Sequence, residues 1–158
     1  MLTAERLREL LDYDPLTGIF RWRVLRGGRS VAGYFKDRYV RITISGTRYY
    51  AHRLAWLHVH GNWPNDQIDH ANGIKQDNRL INLREASRSE NHYNSKRPIH
   101  NKSGYKGVCW HKAVGQWQAT IAVNSHQRHL GYFPTPEAAH NAYREAATKL
   151  HGSFANHG

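Results

Sequence analysis

The sequence predicts an α+β fold made of two small units. Stretches that alternate apolar and polar residues, as half-buried strands do, occur in both the first and the last third of the chain. Apolar residues at helical spacing follow them at 52–60 and 136–151. Between these groups, residues 96–103 have no apolar period and carry three cations, which is typical of a linker. We therefore expect one unit at about 1–95, a basic linker at 96–103 and a second unit at 104–158.

Turn and capping residues mark the elements of the first unit. Thr3 is suited to cap a short helix, because its side-chain oxygen can accept from a backbone N–H of the first turn. Ser45-Gly46 separates two alternating runs, a pattern that predicts a β-hairpin, and Gly61 can end a helix. The expected elements are a helix at 3–11, a strand at 20–24, hairpin arms at 39–44 and 47–51, and a helix at 52–60.

The second unit is expected to be a small three-stranded antiparallel sheet packed on one helix. Thr135-Pro136-Glu137 combines an N-cap, a proline at the first helical position and an acid in the first turn, so a helix begins there and runs to about His151. The expected strands are 105–111, 116–123 and 127–133. Successive side chains of a strand point to opposite faces of the sheet. In the middle strand, the side chains expected to face the helix are therefore Trp117, Ala119, Ile121 and Val123, and those expected to face solvent are Gln118, Thr120 and Ala122.

The charge balance points to a polyanionic partner. Lys and Arg number 23 against 12 Asp and Glu, a formal net charge of +11, which is typical of nucleic-acid binding. With Cys109 alone, an intramolecular disulfide and a cysteine-rich zinc site are both excluded. No apolar run approaches the roughly 18–20 residues of a membrane span, and the N-terminus lacks the apolar core of a secretory signal. These features predict an intracellular protein without a membrane partner.

The densest cluster of polar residues lies between positions 68 and 92. Asp69 follows an apolar residue and precedes an Asn-Gly turn at 72–73, as at the end of a hairpin strand. Ser87 and Glu90 have the spacing of a capping box, which starts a short helix that contains Asn91. A hairpin followed by a helix can bring Asp69 and Asn91 together.

These residue types suit phosphodiester hydrolysis. Carboxylate and amide oxygens are hard ligands that suit Mg²⁺ or Mn²⁺. The neutral imidazole of His70 can take a proton from water near physiological pH. An isolated Asp-His pair is more commonly a hydrogen-bonding feature, and Asn-Gly or Asp-Asn pairs form turns in any protein. The interpretation as a hydrolytic site therefore depends on the order and spacing of these residues and not on any one of them.

Residues 51–95 resemble the HNH endonucleases, specifically the phage and mobile-intron branch that lacks zinc-binding cysteines. The segments that carry the resemblance are 52–56, 68–73, 77–79, 82–84 and 89–91. The resemblance implies a ββα-metal fold with its core at about 66–95, preceded by a β-rich part. It also implies hydrolysis of DNA to 5′-phosphate and 3′-hydroxyl ends with one divalent ion, Mg²⁺ or Mn²⁺.

The resemblance assigns a role to each motif residue. Asp69 and Asn91 correspond to the metal ligands, and His70 corresponds to the general base. Asn82 corresponds to the asparagine that holds the loop and helps orient the base. His92, which follows Asn91, remains an alternative second ligand.

Residues 104–156 resemble the plant ethylene-response-factor DNA-binding domain of the Apetala-two type, a family known to accompany HNH nucleases in mobile elements. The matching segments are 105–108, 117–119, 130–133, 137–139, 142–143 and 150–152. By position, the groove-facing contacts are Lys106, His111, Thr120, Gln127 and His129. The alternative interpretation is a small unit that only stabilises the nuclease.

The preferred hypothesis is a site-selective DNA endonuclease of homing type. A monomer with one active site nicks one strand of double-stranded DNA, in the cytoplasm of a bacterial host cell and without a protein partner. The alternative is a non-catalytic, sequence-specific DNA-binding protein or regulator whose nuclease half has decayed. The candidate phosphate contacts of the first unit are Arg21, Arg23, Arg26, Arg41, Arg48, Arg53 and Arg79.

Overall fold

The computed structural model describes residues 1–26 and 28–158, with the backbone alone at Arg26 and Arg29. The chain divides into two compact units, residues 1–86 and 87–158. The division falls earlier than the expected linker.

Among the residues that the structure describes, the first unit contains three antiparallel sheets and two α-helices. Its elements are α1 (Ala4–Leu10), β1 (Leu11–Asp14), β2 (Ile19–Arg26), β3 (Arg29–Val31), β4 (Tyr34–Lys36), β5 (Tyr39–Ile44), β6 (Thr47–Tyr50), α2 (Ala51–His60), β7 (Gln67–His70) and β8 (Leu83–Ala86). The sheets are β1-β2-β3, β4-β5-β6 and the pair β7-β8. The predicted α+β class and β-rich first part are confirmed.

Local signals account for the ends of these elements. The Thr3 side chain accepts from the Arg6 backbone N–H and caps α1. Ser45 and Gly46 both have positive φ, 48° and 81°, as the tight turn of the predicted hairpin requires. Gly61 ends α2 in the left-handed conformation. The apolar residues buried in the common core include Leu7, Leu11, Phe20, Ile42, Leu54 and Leu57.

The second unit is a three-stranded sheet covered by a long helix, with a short helix before it. Its elements are α3 (Arg88–Tyr93), β9 (Val108–His111), β10 (Gln116–Val123), β11 (His126–Phe133) and α4 (Pro136–His151). The antiparallel order is β11-β10-β9, and Thr135 caps α4 as predicted. The buried residues between sheet and helix include Val108, Ala119, Ile121, Ala139, Tyr143 and Ala147. The predicted sheet-on-helix architecture is confirmed. No helix among the described residues has the length and apolar character needed to cross a membrane.

Candidate active site

The β7-β8 hairpin carries an acid and an imidazole at adjacent positions of one strand. Asp69 and His70 end β7, and both side chains are fully buried. Antiparallel pairing sets Asp69 opposite Arg84 and His70 opposite Leu83. Because successive side chains of a strand point to opposite faces, the carboxylate and the imidazole project to different sides of the hairpin.

The carboxylate of Asp69 faces two cations. Nε and Nη2 of Arg84 both donate to Oδ2 of Asp69, at 3.0 and 2.8 Å. Nζ of Lys75 lies 3.9 Å from Oδ1. Burial of a carboxylate is costly unless the group is paired and hydrogen-bonded, so these cations offset the cost of its position in the interior.

The imidazole of His70 is held by the side-chain amide of Asn78. Its Nε2 lies 3.3 Å from Oδ1 of Asn78, whose Nδ2 donates to the Gln76 carbonyl oxygen at 3.2 Å. Since the amide oxygen faces the ring, we assign the proton to Nε2, which makes Nδ1 the basic nitrogen. Burial lowers the pKa of His70 below its usual value, which keeps the ring neutral near pH 7. A neutral imidazole can accept a proton from water.

Other rings pack around His70. His52 of α2 meets it edge-on with ring centroids 5.0 Å apart, and Tyr39 of β5 lies 6.2 Å from it. His52 also stacks on Tyr50 at 5.3 Å. Burial, together with a smaller effect of the neighbouring His70, lowers the pKa of His52 to about 3. The neutral His52 ring therefore forms one wall of the space in which the His70 ring sits.

Asn82 closes the loop at residues 71–77. Its Oδ1 accepts from the backbone N–H of Asn72 at 2.9 Å, and its Nδ2 donates to the carbonyl oxygen of Asp77 at 2.7 Å. Its own carbonyl oxygen accepts from the N–H of Ala71 at 2.9 Å. Three bonds from one buried residue thus tie both ends of the loop to the hairpin, which supports the loop-holding role that the resemblance implies.

The turn between β1 and β2 supports the segment that follows this loop. Oη of Tyr13 donates to the carbonyl oxygen of Asn78 at 2.6 Å, and the N–H of Leu80 donates to the carbonyl oxygen of Pro15 at 3.1 Å. Gly18 approaches so closely that a Cβ there would lie 2.5 Å from the carbonyl carbon of Asn78. The first sheet therefore helps to hold the residue that binds the imidazole.

Asn91 lies in α3, the helix that follows the hairpin along the chain. The Ser87 hydroxyl accepts from the Glu90 N–H at 3.2 Å, and the Glu90 carboxylate accepts from the Ser87 N–H at 2.8 Å. This reciprocal pair confirms the predicted capping box. Asn91 is half-buried and His92 is exposed. Asn91 belongs to the second unit, whereas Asp69 belongs to the first.

The chemistry of the donor set fits the divalent ion that the HNH resemblance implies. Among the residues that the structure describes, no three His, Cys, Asp or Glu side chains cluster in a way that would hold a metal ion. A carboxylate oxygen and an amide oxygen are hard ligands of the kind that Mg²⁺ takes beside water and phosphate oxygens, so the two residue types fit such an ion. An ion at Asp69 would compete with Lys75 and Arg84 for the carboxylate oxygens.

Two arginines near the hairpin make contacts within the first unit. Nη1 of Arg53 donates to the carbonyl oxygen of Asp66 at 3.1 Å, and its guanidinium lies 6.0 Å from the Trp63 ring centroid. Arg53 thus ties α2 to the segment before β7, and its expected phosphate contact stays a prediction. Nη2 of Arg79 lies 2.6 Å from Oδ2 of Asp77, and this pairing lowers the pKa of the Asp77 carboxyl to about 2.

The other arginines of this unit differ in their surroundings. Arg41 pairs with Asp37 at 3.1 Å and lies over the Tyr50 ring at 5.0 Å. The expected contact at Arg26 lies outside the described side chains. The remaining candidates are exposed and are Arg21, Arg23 and Arg48.

The sheet of the second unit presents four of the five expected DNA contacts on its outward face. Thr120 lies opposite His129, and Gln127 extends the same face at the end of β11. The rings of His111 and His129 flank Tyr132, with centroid distances of 5.1 and 4.6 Å. These polar and aromatic side chains leave a surface of hydrogen-bonding groups opposite the helix-covered face.

Lys106, the fifth expected contact, points elsewhere. Its side chain is buried, and its Nζ donates to the carbonyl oxygens of Tyr93 at 2.8 Å and Ser95 at 2.6 Å. Its ammonium group is therefore used inside the second unit, which corrects the expectation that it contacts DNA.

Sequence reasoning missed three residues of the site. Asn78 and Arg84 lie inside the matched motif segments, but nothing in their spacing indicates that they bind His70 and Asp69. The pairing of Arg84 with Asp69 follows from strand register, which depends on the full loop length. Nothing in the sequence around Tyr13 indicates its hydrogen bond to Asn78, because the two residues lie 65 positions apart.

The buried Asp69-His70 pair and the loop-closing Asn82 lie in a segment of the chain that matches a known family. The model of a family described as "HNH endonuclease" matches residues 49–93. Protein 3.8 of Escherichia phage T7 is 34% identical over 105 residues, which span 66% of this chain and 86% of that protein. The chain therefore belongs to the same family as protein 3.8 and carries an HNH endonuclease domain.

A solved structure of the HNH homing endonuclease I-HmuI, described as showing DNA binding and cleavage, is also similar. The superposition has a TM-score of 0.43 at 18% sequence identity, and it covers 89% of this chain and 84% of that chain.

Proposed function

We propose that this protein is a site-selective DNA endonuclease of homing type that nicks one strand of double-stranded DNA. It acts as a monomer, in the cytoplasm of a bacterial host cell, with one Mg²⁺ or Mn²⁺ ion. The observation that carries the proposal is the matched HNH segment, in which a neutral buried His70 adjoins Asp69 and the loop between the strands is closed by Asn82.

His70 is the general base. Its Nε2 proton is directed to Asn78, so Nδ1 receives the proton of the attacking water. The hydroxide oxygen forms a bond to phosphorus as the bond to the 3′ oxygen breaks. Asp69 and Asn91 would hold a divalent ion, which would supply stabilisation of the negative charge on the phosphate and on the departing oxygen. Asn82 and Asn78 keep the loop and the imidazole in position throughout.

Basic and polar surfaces of both units bind the DNA. In the first unit, Arg41 and Arg48 lie on one face of the β4-β5-β6 sheet, since their cross-strand partners Tyr50 and Thr43 alternate with buried residues. Contacts of this kind supply affinity without sequence information. In the second unit, the outward face that carries His111, Thr120, Gln127 and His129 reads base edges in a groove and improves site choice.

One observation favours the alternative, a DNA-binding protein or regulator with a decayed nuclease half. Asp69 is fully buried and is already bonded to Arg84, with Lys75 nearby. A protein that never binds a metal ion would keep such a neutralised carboxylate without cost to function. The two functions differ in whether the protein changes the DNA that it binds.

The test is conversion of supercoiled plasmids that carry a library of inserts, with Mg²⁺ or Mn²⁺ and with EDTA as a control. We expect open circles from the wild type, and a loss of about 10²–10⁴-fold in rate for His70→Ala with DNA binding nearly unchanged. His100→Ala changes an exposed histidine outside the hairpin and serves as the matched control. Tight DNA binding by the wild type without conversion in any plasmid would favour the regulator.

A further inference from the structure

The short helix α3 depends on the second unit for its position. It has six residues, far fewer than an isolated helix needs to be stable in water, so tertiary contacts must hold it. Its N-terminus has its own capping box at Ser87 and Glu90. At its C-terminus the Asn94 N–H donates to the Glu90 carbonyl oxygen at 3.2 Å, and side chains from distant parts of the second unit add further contacts.

Lys106 binds the C-terminal end of α3. Its Nζ donates to the carbonyl oxygens of Tyr93 and Ser95, which lie in and just after the last turn. The last carbonyls of a helix lack intrahelical donors and carry partial negative charge, so an ammonium group is a favourable partner. Burial lowers the pKa of Lys106 to about 8. The two hydrogen bonds offset the free-energy cost of burying the ammonium group.

Tyr93 fixes the same turn through its side chain. Its ring stacks on His151 of α4 with centroids 3.8 Å apart and an interplanar angle of 3°. Its Oη donates to Oδ1 of Asn124 at 3.2 Å and accepts from the Asn124 N–H at 2.7 Å. His151 is itself anchored, because its Nε2 lies 2.8 Å from the Ala122 carbonyl oxygen of β10.

The chain segment after α3 is tied down in the same way. Nδ2 of Asn156 donates to the carbonyl oxygen of Asn94 at 2.9 Å. The β10-β11 turn, α4 and the C-terminal segment of the second unit therefore all contact the end of α3, as Lys106 does, within two to four residues of Asn91.

We infer that the second unit is a positioning part of the nuclease, and that Lys106 and Tyr93 are positioning residues that hold Asn91 through α3. This inference rests on the proposed function, since it takes Asn91 as a metal ligand. It gives the second unit a task that is separate from reading DNA with its outward face. It also accounts for the buried position of a lysine for which a groove contact was expected.

The test compares Lys106→Met with Lys102→Met, which removes the same charge from an exposed site. Amide hydrogen exchange of residues 88–95 should accelerate by about 10-fold or more in Lys106→Met and stay unchanged in Lys102→Met. The Mg²⁺ affinity, measured by calorimetry, and the Mg²⁺ concentration for half-maximal nicking should both worsen several-fold in Lys106→Met alone. DNA affinity in EDTA should be equal in the two variants.

Tyr93→Phe provides a second, milder variant, because it keeps the ring on His151 and removes the bonds to Asn124. Tyr93→Phe should also accelerate amide exchange in residues 88–95 and weaken Mg²⁺ affinity, but by smaller factors than Lys106→Met. Unchanged exchange in α3, or faster exchange with unchanged Mg²⁺ affinity, would overturn the inference. If Lys106→Met lost DNA affinity while exchange in α3 stayed unchanged, Lys106 would be a DNA contact after all. That result would also overturn the inference. A wild type that binds no Mg²⁺ would instead overturn the proposed function, and the exchange rates would still decide whether Lys106 holds α3.

Discussion

Burial sets the protonation of His52, the ring that packs against His70. Its pKa falls to about 3 in the folded chain, against an ordinary value of 6.5. Below pH 6.5 the unfolded chain therefore binds a proton that the folded chain excludes. The stability that His52 contributes is complete above about pH 6.5 and is lost as the pH falls toward 3.

This linkage predicts the behaviour of His52→Phe, which keeps a ring against Tyr50 and removes the titrating group. Between pH 6.5 and pH 5 the wild type should lose about 2 kcal/mol more unfolding free energy than the variant, at about 1.4 kcal/mol per pH unit. Urea unfolding at a series of pH values measures both slopes. His100→Phe, at an exposed site, should keep the wild-type slope. Identical slopes for the wild type and His52→Phe would refute the assignment of a buried neutral ring.

At the scale of elements, the turn between β1 and β2 determines where Asn78 lies. Gly18 has a φ of +74°, and a Cβ would lie 2.5 Å from both the Asn78 carbonyl carbon and the Arg79 nitrogen. Backbone atoms cannot swing aside as a flexible side chain can. A side chain at position 18 must therefore displace the segment that presents Asn78 to His70.

We expect Gly18→Ala to lower the unfolding free energy by about 1–3 kcal/mol more than Gly46→Ala does. Gly46 has a similar φ of +81° but open space around it, so its variant isolates the backbone cost. Because Gly18→Ala shifts the partner of the imidazole, it should also slow single-turnover nicking, whereas Gly46→Ala should not. Equal effects of the two substitutions on stability and rate would show that the turn does not support the site.

Elements with local signals were predictable from the sequence, and long-range pairings were not. The hairpin at Ser45-Gly46 and the caps at Thr3, Ser87 and Thr135 lie where the sequence predicts them, because turn and capping chemistry acts within a few residues. Strands β1, β3 and β4 were missed, since they are three or four residues long and their pairing depends on neighbours elsewhere in the chain.

The same contrast applies to the site. Motif order predicts Asp69, His70 and Asn91 as site residues. The surroundings of Lys106 could not be predicted, because a lysine at a strand start is usually exposed, and only tertiary packing brings it to the end of α3.

At the scale of the whole molecule, the division between units changes the expected effect of truncation. The sequence puts all proposed chemistry before Lys96 and predicts that a chain ending at Arg97 would still nick DNA, but more weakly and with poorer site choice. In the structure, the groups that hold the end of α3 lie beyond that point. They are Lys106, Asn124, His151 and Asn156.

A chain of residues 1–97 should therefore lose Mg²⁺-dependent nicking, because α3 loses the contacts that keep Asn91 in place. Single-turnover cleavage and Mg²⁺ calorimetry measure the loss. The matched comparison is full-length Gln127→Ala with His129→Ala, which alters the outward face and keeps the partners of α3. That variant should retain the rate of the chemical step and relax discrimination between target and scrambled duplexes, by roughly 1–3 kcal/mol for each lost base contact. If the 1–97 chain nicks DNA at the full-length rate, α3 must hold its place without the second unit, and site choice would be the only task left to that unit.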